Sequence, residues 1–164
     1  MKKVYFIRHA KSLNNYDCKD IDRSINQKGE KHIKFMANLL KDKGIMPDII
    51  ISSSAKRAFQ TAKIISDIVG FQSQIVQKKE LYDSSLSDFL QVFHEIDDKF
   101  KSVFIIAHNP CISEICELLS NSVIDHMPTS SIFCIEFEQD CFKNIQNHSG
   151  KVLFFDYPKL HKNK

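Results

Sequence analysis

Residues 3–10, KVYFIRHA, decide the fold, because a four-residue apolar run ends abruptly in an arginine and a histidine. A short apolar run of this kind is typical of a strand buried on both faces of a parallel sheet. Two similar runs follow at residues 48–52 and 102–107. The three runs therefore predict central, parallel strands.

Apolar residues at helical spacing fill the stretches between these strands and end at Gly44 and Gly70. A third helix is predicted to begin at a Ser87 cap and a fourth at Pro110, which suits a first helical turn. Residues 132–138 and 152–157 then predict a pair of neighbouring strands. The alternation predicts an α/β fold, a single-domain three-layer α/β/α arrangement with a mostly parallel central sheet.

With four glycines, four prolines and no repeat, the 164 residues offer no internal domain boundary. We expect one domain over residues 1–158 and a frayed tail over 159–164. The net charge of +3 comes with scattered lysines and arginines, so no nucleic-acid groove is expected. The first apolar run is too short for an export signal or a membrane span. Five cysteines without a C-x-x-C pair indicate neither a disulfide framework nor a zinc site, which favours a cytoplasmic protein.

Polar residues follow each of the three predicted strands at its carboxyl end, where ligands bind in open α/β sheets. They are Arg8 and His9, then Ser53 to Arg57, then His108 to Pro110. Arginine forks bind phosphoryl oxygens in pairs, and a neutral imidazole can attack phosphorus in line. Neighbouring guanidinium groups are expected to lower the pKa of His9 and keep its ring neutral. The pattern predicts phosphoryl transfer without a metal or cofactor.

Other phosphate chemistries lack their motifs in this sequence. There is no G-x-x-x-x-G-K-[ST] loop, and no cysteine precedes an arginine at the spacing of cysteine phosphatases. The pair Asp20 and Asp22 does not follow an apolar strand, as a nucleophilic aspartate pair would. We interpret this segment as a loop.

The segments FIRHAKSLNN, SSSAKRAFQTA and IIAHNP resemble the histidine phosphatase, or phosphoglycerate-mutase-like, superfamily. Ala10 stands where the family's Arg-His-Gly motif has glycine, and Ser12 and Asn15 fit its longer form. Within the superfamily, DRSINQKGE, AHNP and MPTSS are similar to phosphohistidine phosphatases of the SixA type. The resemblance covers residues 3–138 and implies a phosphoglycerate-mutase-like fold.

The resemblance also implies roles for individual residues. His9 would accept the phosphoryl group, while Arg8, Arg57 and His108 would bind it. Ser12 and Asn15 would border the substrate, with Asn15 adding a contact. Many family members carry the general acid as the glutamate of an L-x-E segment, and the matching segment here is Leu81-Tyr82-Asp83. Asp83 is the candidate acid and Glu80 the alternative.

Three functions remain open at this point. The first is hydrolysis of phosphohistidine on a signalling protein, with a histidine-phosphorylated phosphotransfer domain as the partner. The second is a phosphatase or mutase for small phosphate esters, although the roughly 50 residues between Arg57 and His108 leave little chain for a lid over a metabolite. The third is a non-catalytic module that binds phosphate groups. No membrane partner is expected.

Overall fold

A six-stranded sheet forms the centre of the structure, a computed structural model that describes residues 1–14 and 17–162. In chain order the strands are β1 (Lys2–Arg8), β2 (Ile49–Ser53), β3 (Val76–Lys78), β4 (Ser102–Ala107), β5 (Ile132–Phe137) and β6 (Lys151–Asp156). Their order across the sheet is β3-β2-β4-β1-β5-β6. The first four run parallel, and β5 and β6 are antiparallel. The predicted central strands and the predicted final pair are both confirmed.

Four α-helices cover the two faces of this sheet: α1 (Gln27–Asp42), α2 (Lys56–Val69), α3 (Leu86–His94) and α4 (Cys111–Leu119). Successive strand residues point to opposite faces, so Val4 and Phe6 pack with α3 and α4, whereas Tyr5 and Ile7 pack with α1 and α2. The predicted three-layer α/β/α arrangement is confirmed. No helix in the described parts of the chain combines the length and the apolar character that crossing a bilayer requires.

The start of α3 differs from the prediction, because its cap is Ser85 and not Ser87. The Ser85 hydroxyl accepts a hydrogen bond from the Asp88 backbone N–H, and the Asp88 carboxylate accepts one from the Ser85 N–H. This reciprocal pair satisfies two backbone donors at once, which a cap two residues later would leave unpaired. Short 3-10 helices complete the fold at Asp20–Asp22, Lys79–Leu81, Phe142–Asn144 and Pro158–His161.

Gly29 in the first turn of α1 lets the chain after β1 pass close to the helix. A Cβ atom at this position would lie 2.2 Å from the carbonyl oxygen of Lys11. The same carbonyl accepts a hydrogen bond of 2.9 Å from the Asn26 N–H, at the cap of the helix. The loop that follows His9 is thereby held against α1. The domain limit at residue 158 and the frayed tail beyond it stay predictions.

Candidate active site

The polar residues that follow β1, β2 and β4 lie together at one edge of the sheet. The rings of His9 and His108 are 4.9 Å apart between centroids, and both side chains are buried. Arg57 is buried in the first turn of α2, directly after β2. Parallel strands bring their carboxyl ends to the same edge, which explains why residues 48 to 100 positions apart meet here.

The His9 ring is held in one orientation by its own neighbour in sequence. Its Nδ1 lies 2.8 Å from the carbonyl oxygen of Ala10, and since a carbonyl only accepts, Nδ1 carries the proton. Nε2 then keeps its lone pair, and no residue in the described part of the chain hydrogen bonds to it. This is the tautomer that a nucleophilic histidine needs.

The pKa of His9 is lowered to about 4, chiefly because the ring is buried and further because Arg57 and Arg8 are close. The Ala10 carbonyl opposes this shift but does not cancel it. The expected direction is therefore found, although burial contributes more than the guanidinium charges. At neutral pH the ring is uncharged and can donate electrons to phosphorus.

Thr61 on α2 connects the His9 loop to Arg57. Its hydroxyl accepts a hydrogen bond of 2.9 Å from the Ala10 N–H and donates one of 2.7 Å to the carbonyl oxygen of Arg57. Ala10 itself is fully buried, so its methyl group, which replaces the family's glycine hydrogen, fits within the core. The threonine of the SSSAKRAFQTA segment thus fixes the backbone beside His9.

Arg8 and Asn109 meet at the backbone of the MPTSS segment. The Arg8 Nη1 and the Asn109 Nδ2 each donate a hydrogen bond of 2.9 Å to the carbonyl oxygen of Met127. Ser113 completes the link, because its hydroxyl donates to Asn109 Oδ1 at 2.6 Å and accepts from the Met127 N–H at 2.8 Å. These contacts hold the Arg8 guanidinium beside the two histidines.

His108 is fixed by β2, with its Nε2 at 2.7 Å from the hydroxyl oxygen of Ser53. The pKa of His108 is lowered to about 3, first by burial and then by the nearby His9 and Arg57. The Tyr82 ring lies edge-on to the His108 ring, with centroids 5.7 Å apart. His108 is consequently a neutral, well-fixed group on the edge of the site.

Asp20 is a site residue that the sequence analysis missed. The segment interpreted as a loop is a 3-10 helix, and it places Asp20 against Arg57. Arg57 Nη1 donates to the Asp20 backbone carbonyl at 2.8 Å, and Nη2 lies 3.2 Å from the carboxylate. Arg23 binds the same carboxylate at 2.9 Å, and the Tyr82 hydroxyl donates to it at 2.7 Å. No spacing rule connects residues 20, 57 and 82, so the sequence carried no signal for this cluster.

The Asp20 carboxylate is ionised at neutral pH, because these donors lower its pKa to about 2. The Tyr82 hydroxyl has the largest effect, followed among the favourable partners by Arg57 and Arg23. An ionised carboxylate therefore lies on the Arg57 guanidinium fork, a donor pair of the kind that binds phosphoryl oxygens. Asp20 in this state has no proton to give to a leaving group.

The remaining predicted residues lie at different distances from the histidines. The Ser12 hydroxyl accepts a hydrogen bond of 2.9 Å from Arg23 Nη1, so it borders the cluster around Asp20. Asn15 lies outside the described residues.

Asp83 is exposed on a turn with a φ of 49° and, within the described chain, has no hydrogen bond to His9, His108 or Arg57. Glu80 lines a separate cavity beside α3. The turn thus brings Tyr82 to the site, whereas in the part of the chain that the structure describes neither Glu80 nor Asp83 hydrogen bonds to the two histidines.

Comparison with known proteins agrees with this geometry. The sequence profile of the histidine phosphatase superfamily (branch 1) matches residues 4–110, a span that contains all three motifs. The chain belongs to the histidine phosphatase superfamily. A putative phosphoserine phosphatase 2 from Hydrogenobacter thermophilus is 30% identical over 135 residues, which are 79% of this chain and 58% of that protein.

A 2,3-bisphosphoglycerate-dependent phosphoglycerate mutase from Streptomyces avermitilis is 36% identical over 67 residues. That alignment covers 38% of this chain and 26% of the mutase. The chain therefore spans about a quarter to somewhat over half the length of these curated relatives.

Solved structures match almost the whole chain. The protein histidine phosphatase SixA complexed with tungstate superposes with a TM-score of 0.83 at 20% identity, covering 96% of this chain and 98% of that one. A putative phosphohistidine phosphatase SixA from Agrobacterium tumefaciens has a TM-score of 0.79 at 23% identity, with the same coverage. The predicted phosphoglycerate-mutase-like fold is confirmed.

Proposed function

We propose that this protein is a phosphatase that takes a phosphoryl group onto His9 and then transfers it to water. The observation that carries the proposal is the state of His9: a neutral ring, held through Nδ1 by the Ala10 carbonyl, close enough to Arg57 and Arg8 for their charges to lower its pKa. Family membership supports the same reaction class. Arg8, Arg57 and His108 are proposed to bind the phosphoryl oxygens.

The reaction has two steps under this proposal. In the first, His9 Nε2 attacks phosphorus in line, an N–P bond forms, and the bond to the leaving group breaks with its electron pair on the leaving atom. In the second, a water molecule attacks the phosphorus and loses a proton to solvent, and the N–P bond breaks with its electron pair returning to Nε2. Inorganic phosphate then leaves. The arginine forks balance the charge on the oxygens in both transition states.

Phosphohistidine on a protein is the substrate class that we favour. Its leaving group is imidazole, whose conjugate acid has a pKa of about 6.5, so it departs near neutral pH without a strong enzymic acid. The acidic group that touches the site, Asp20, is ionised, and Asp83 is exposed without a contact to the histidines. An alkoxide leaving group would need an acid in that position. The names of the SixA structures support this choice as well.

Hydrolysis of small phosphate esters is the second candidate. It is favoured by the relatives, one named as a phosphoglycerate mutase and one as a putative phosphoserine phosphatase. A comparison of kcat/KM for a histidine-phosphorylated phosphotransfer domain with kcat/KM for glycerate, serine and sugar phosphates separates the two candidates. Faster turnover of any ester would overturn the phosphohistidine assignment and leave the His9 mechanism in place.

The covalent intermediate is tested directly by brief reaction with a ³²P-labelled phosphoramidate followed by a denaturing quench. We expect acid-labile, base-stable label on the wild-type chain. We expect none on His9→Ala and normal labelling on His126→Ala, which changes an exposed histidine. Turnover without label would contradict the covalent route. Phosphate binding without turnover would instead identify a non-catalytic module.

A further inference from the structure

We propose that a basic pocket beside the His9 loop is the docking surface for an acidic protein domain that presents the phosphorylated side chain. The inference rests on the proposed function and names the partner's surface chemistry. The pocket has a volume of about 740 Å³. We call it the lysine pocket after the five lysines that line it, Lys11, Lys28, Lys31, Lys159 and Lys162.

The lysine pocket shares its walls with the segment that carries His9. Lys11 follows His9 by two residues and is held against α1 at the close approach of Gly29. The lining also includes Pro128 and Thr129. The next residue, Ser130, donates its backbone N–H to the carbonyl oxygens of Arg8 and His9 at 3.1 and 3.2 Å. A domain seated in the lysine pocket would therefore lie directly beside the candidate site.

The charge of this pocket is positive and unbalanced. No aspartate or glutamate lines it, and among residues 1–14 and 17–162 no ion pair joins any of the five lysines to a carboxylate. The nearby Asp156 is engaged by His161, 2.7 Å away. Burial, together with Lys28, Lys31 and Lys11, lowers the pKa of His32 on the same wall. Unpaired cations gathered on one surface attract an acidic partner and speed its encounter.

The shape of the pocket favours a protein over a small polyanion. All five lysines are exposed, and they come from three separate segments of the chain. Phe35 forms an apolar part of the wall, 42% exposed, with the His161 ring edge-on at 5.2 Å. An exposed aromatic side chain among charged residues is typical of protein interfaces. An isolated polyanion would leave Phe35 unused.

The test compares the triple variant K28E/K31E/K159E with the control K101E/K143E/K151E. The control lysines are also exposed, but they lie toward the opposite end of the sheet, where β1 begins. The substrates are a histidine-phosphorylated acidic phosphotransfer domain and free phosphoramidate. We expect the ratio of kcat/KM for the domain to kcat/KM for phosphoramidate to fall about tenfold or more in the first variant, mainly through KM. The control should change the ratio by less than about twofold.

Several outcomes would overturn the docking surface independently of the proposed function. If the wild type hydrolyses the phosphorylated domain and both variants keep the same ratio, the lysine pocket does not dock it. If the wild type hydrolyses neither substrate, the proposed function fails, and the surface is tested by binding of the same domain with its acceptor histidine replaced by alanine. Equal binding by wild type and K28E/K31E/K159E would then refute docking. Tripolyphosphate is the probe for a free polyanion. If it binds the wild type and not K28E/K31E/K159E, while the domain binds the wild type and both variants equally, the pocket binds a free polyanion and not a protein.

Discussion

The carboxylate of Asp20 lies 3.2 Å from Nη2 of Arg57, the arginine proposed to bind the phosphoryl group. Any oxyanion that binds this guanidinium must compete with that carboxylate. The contact is partly exposed on the Asp20 side, where 53% of the side chain is accessible, so solvent screens it and its strength is modest. The Asp20 carboxylate therefore competes with a bound anion for Arg57, and an anion can displace it.

Replacing this competitor should tighten anion binding. We expect Asp20→Asn to lower the inhibition constant for inorganic phosphate or tungstate by about two- to fivefold, since an exposed ion pair is worth less than about 1 kcal/mol. The matched control is Asp22→Asn, which changes an exposed carboxylate on the same 3-10 helix. Unchanged or weaker inhibition in Asp20→Asn would show that the carboxylate does not compete.

Removing the Arg57 guanidinium should strongly reduce stabilisation of the transition state. We expect Arg57→Ala to lose about 2 to 4 kcal/mol of transition-state stabilisation, as expected for one strong oxyanion donor. Arg57→Lys keeps the charge but not the paired donors, so its activity should lie between those of wild type and Arg57→Ala. The measurement is kcat/KM for phosphoramidate. Near-normal activity in the alanine variant would remove Arg57 from the site assignment.

The link through Thr61 can be tested with two substitutions. Thr61→Val leaves the buried Ala10 N–H without its acceptor, so it should lower the free energy of unfolding by about 1 to 3 kcal/mol. It should also reduce kcat, because the backbone beside His9 loses its fixed position. Thr61→Ser retains the hydroxyl and should restore most of both losses. If Thr61→Val and Thr61→Ser have the same free energy of unfolding in urea and the same kcat, the hydroxyl has no positioning role.

The low pKa of His9 makes stability depend on pH in a defined direction. Below about pH 6.5 the ring takes up a proton in the unfolded chain but not in the folded one, so unfolding becomes easier as the pH falls toward 4. At pH 5 this single group should lower the free energy of unfolding by about 2 kcal/mol relative to a neutral reference. His9→Gln removes this titration, so between pH 7 and pH 5 the free energy of unfolding of the wild type should fall by about 2 kcal/mol more than that of the variant. Parallel urea curves for both proteins across this range would contradict the shifted pKa.

Asp83 remains the candidate acid for ester substrates. We expect Asp83→Asn to slow hydrolysis of an alkyl phosphate several-fold and to leave phosphohistidine hydrolysis nearly unchanged, because only the alkoxide needs a proton on departure. Glu80→Gln is the matched control, since Glu80 lines a different cavity and should affect neither reaction. Equal losses for both substrates would mean that Asp83 does not act as an acid.

The sequence by itself determined the order of the four helices and of five of the six strands, but not the short edge strand β3. It also placed Arg8, His9, Arg57 and His108 at the ends of those strands. These features follow from local rules: a short apolar run predicts a strand, helical spacing predicts a helix, and parallel strands bring their carboxyl ends to one edge. Four of the predicted residues meet there without any long-range information beyond this topology. The family motifs identified the same four.

Only the tertiary structure decided how the surroundings of these residues are arranged. Asp20 lies on a 3-10 helix and Tyr82 on a turn, and the fold brings both Tyr82 and Arg57 into contact with Asp20. Neither element has a sequence periodicity that predicts which residues it will contact. The lysines of the lysine pocket are scattered along the sequence, at residues 11, 28, 31, 159 and 162. They gather because α1, the His9 loop and the segment after β6 pack side by side. Contacts of this kind depend on packing between distant segments, which no local pattern in the sequence encodes.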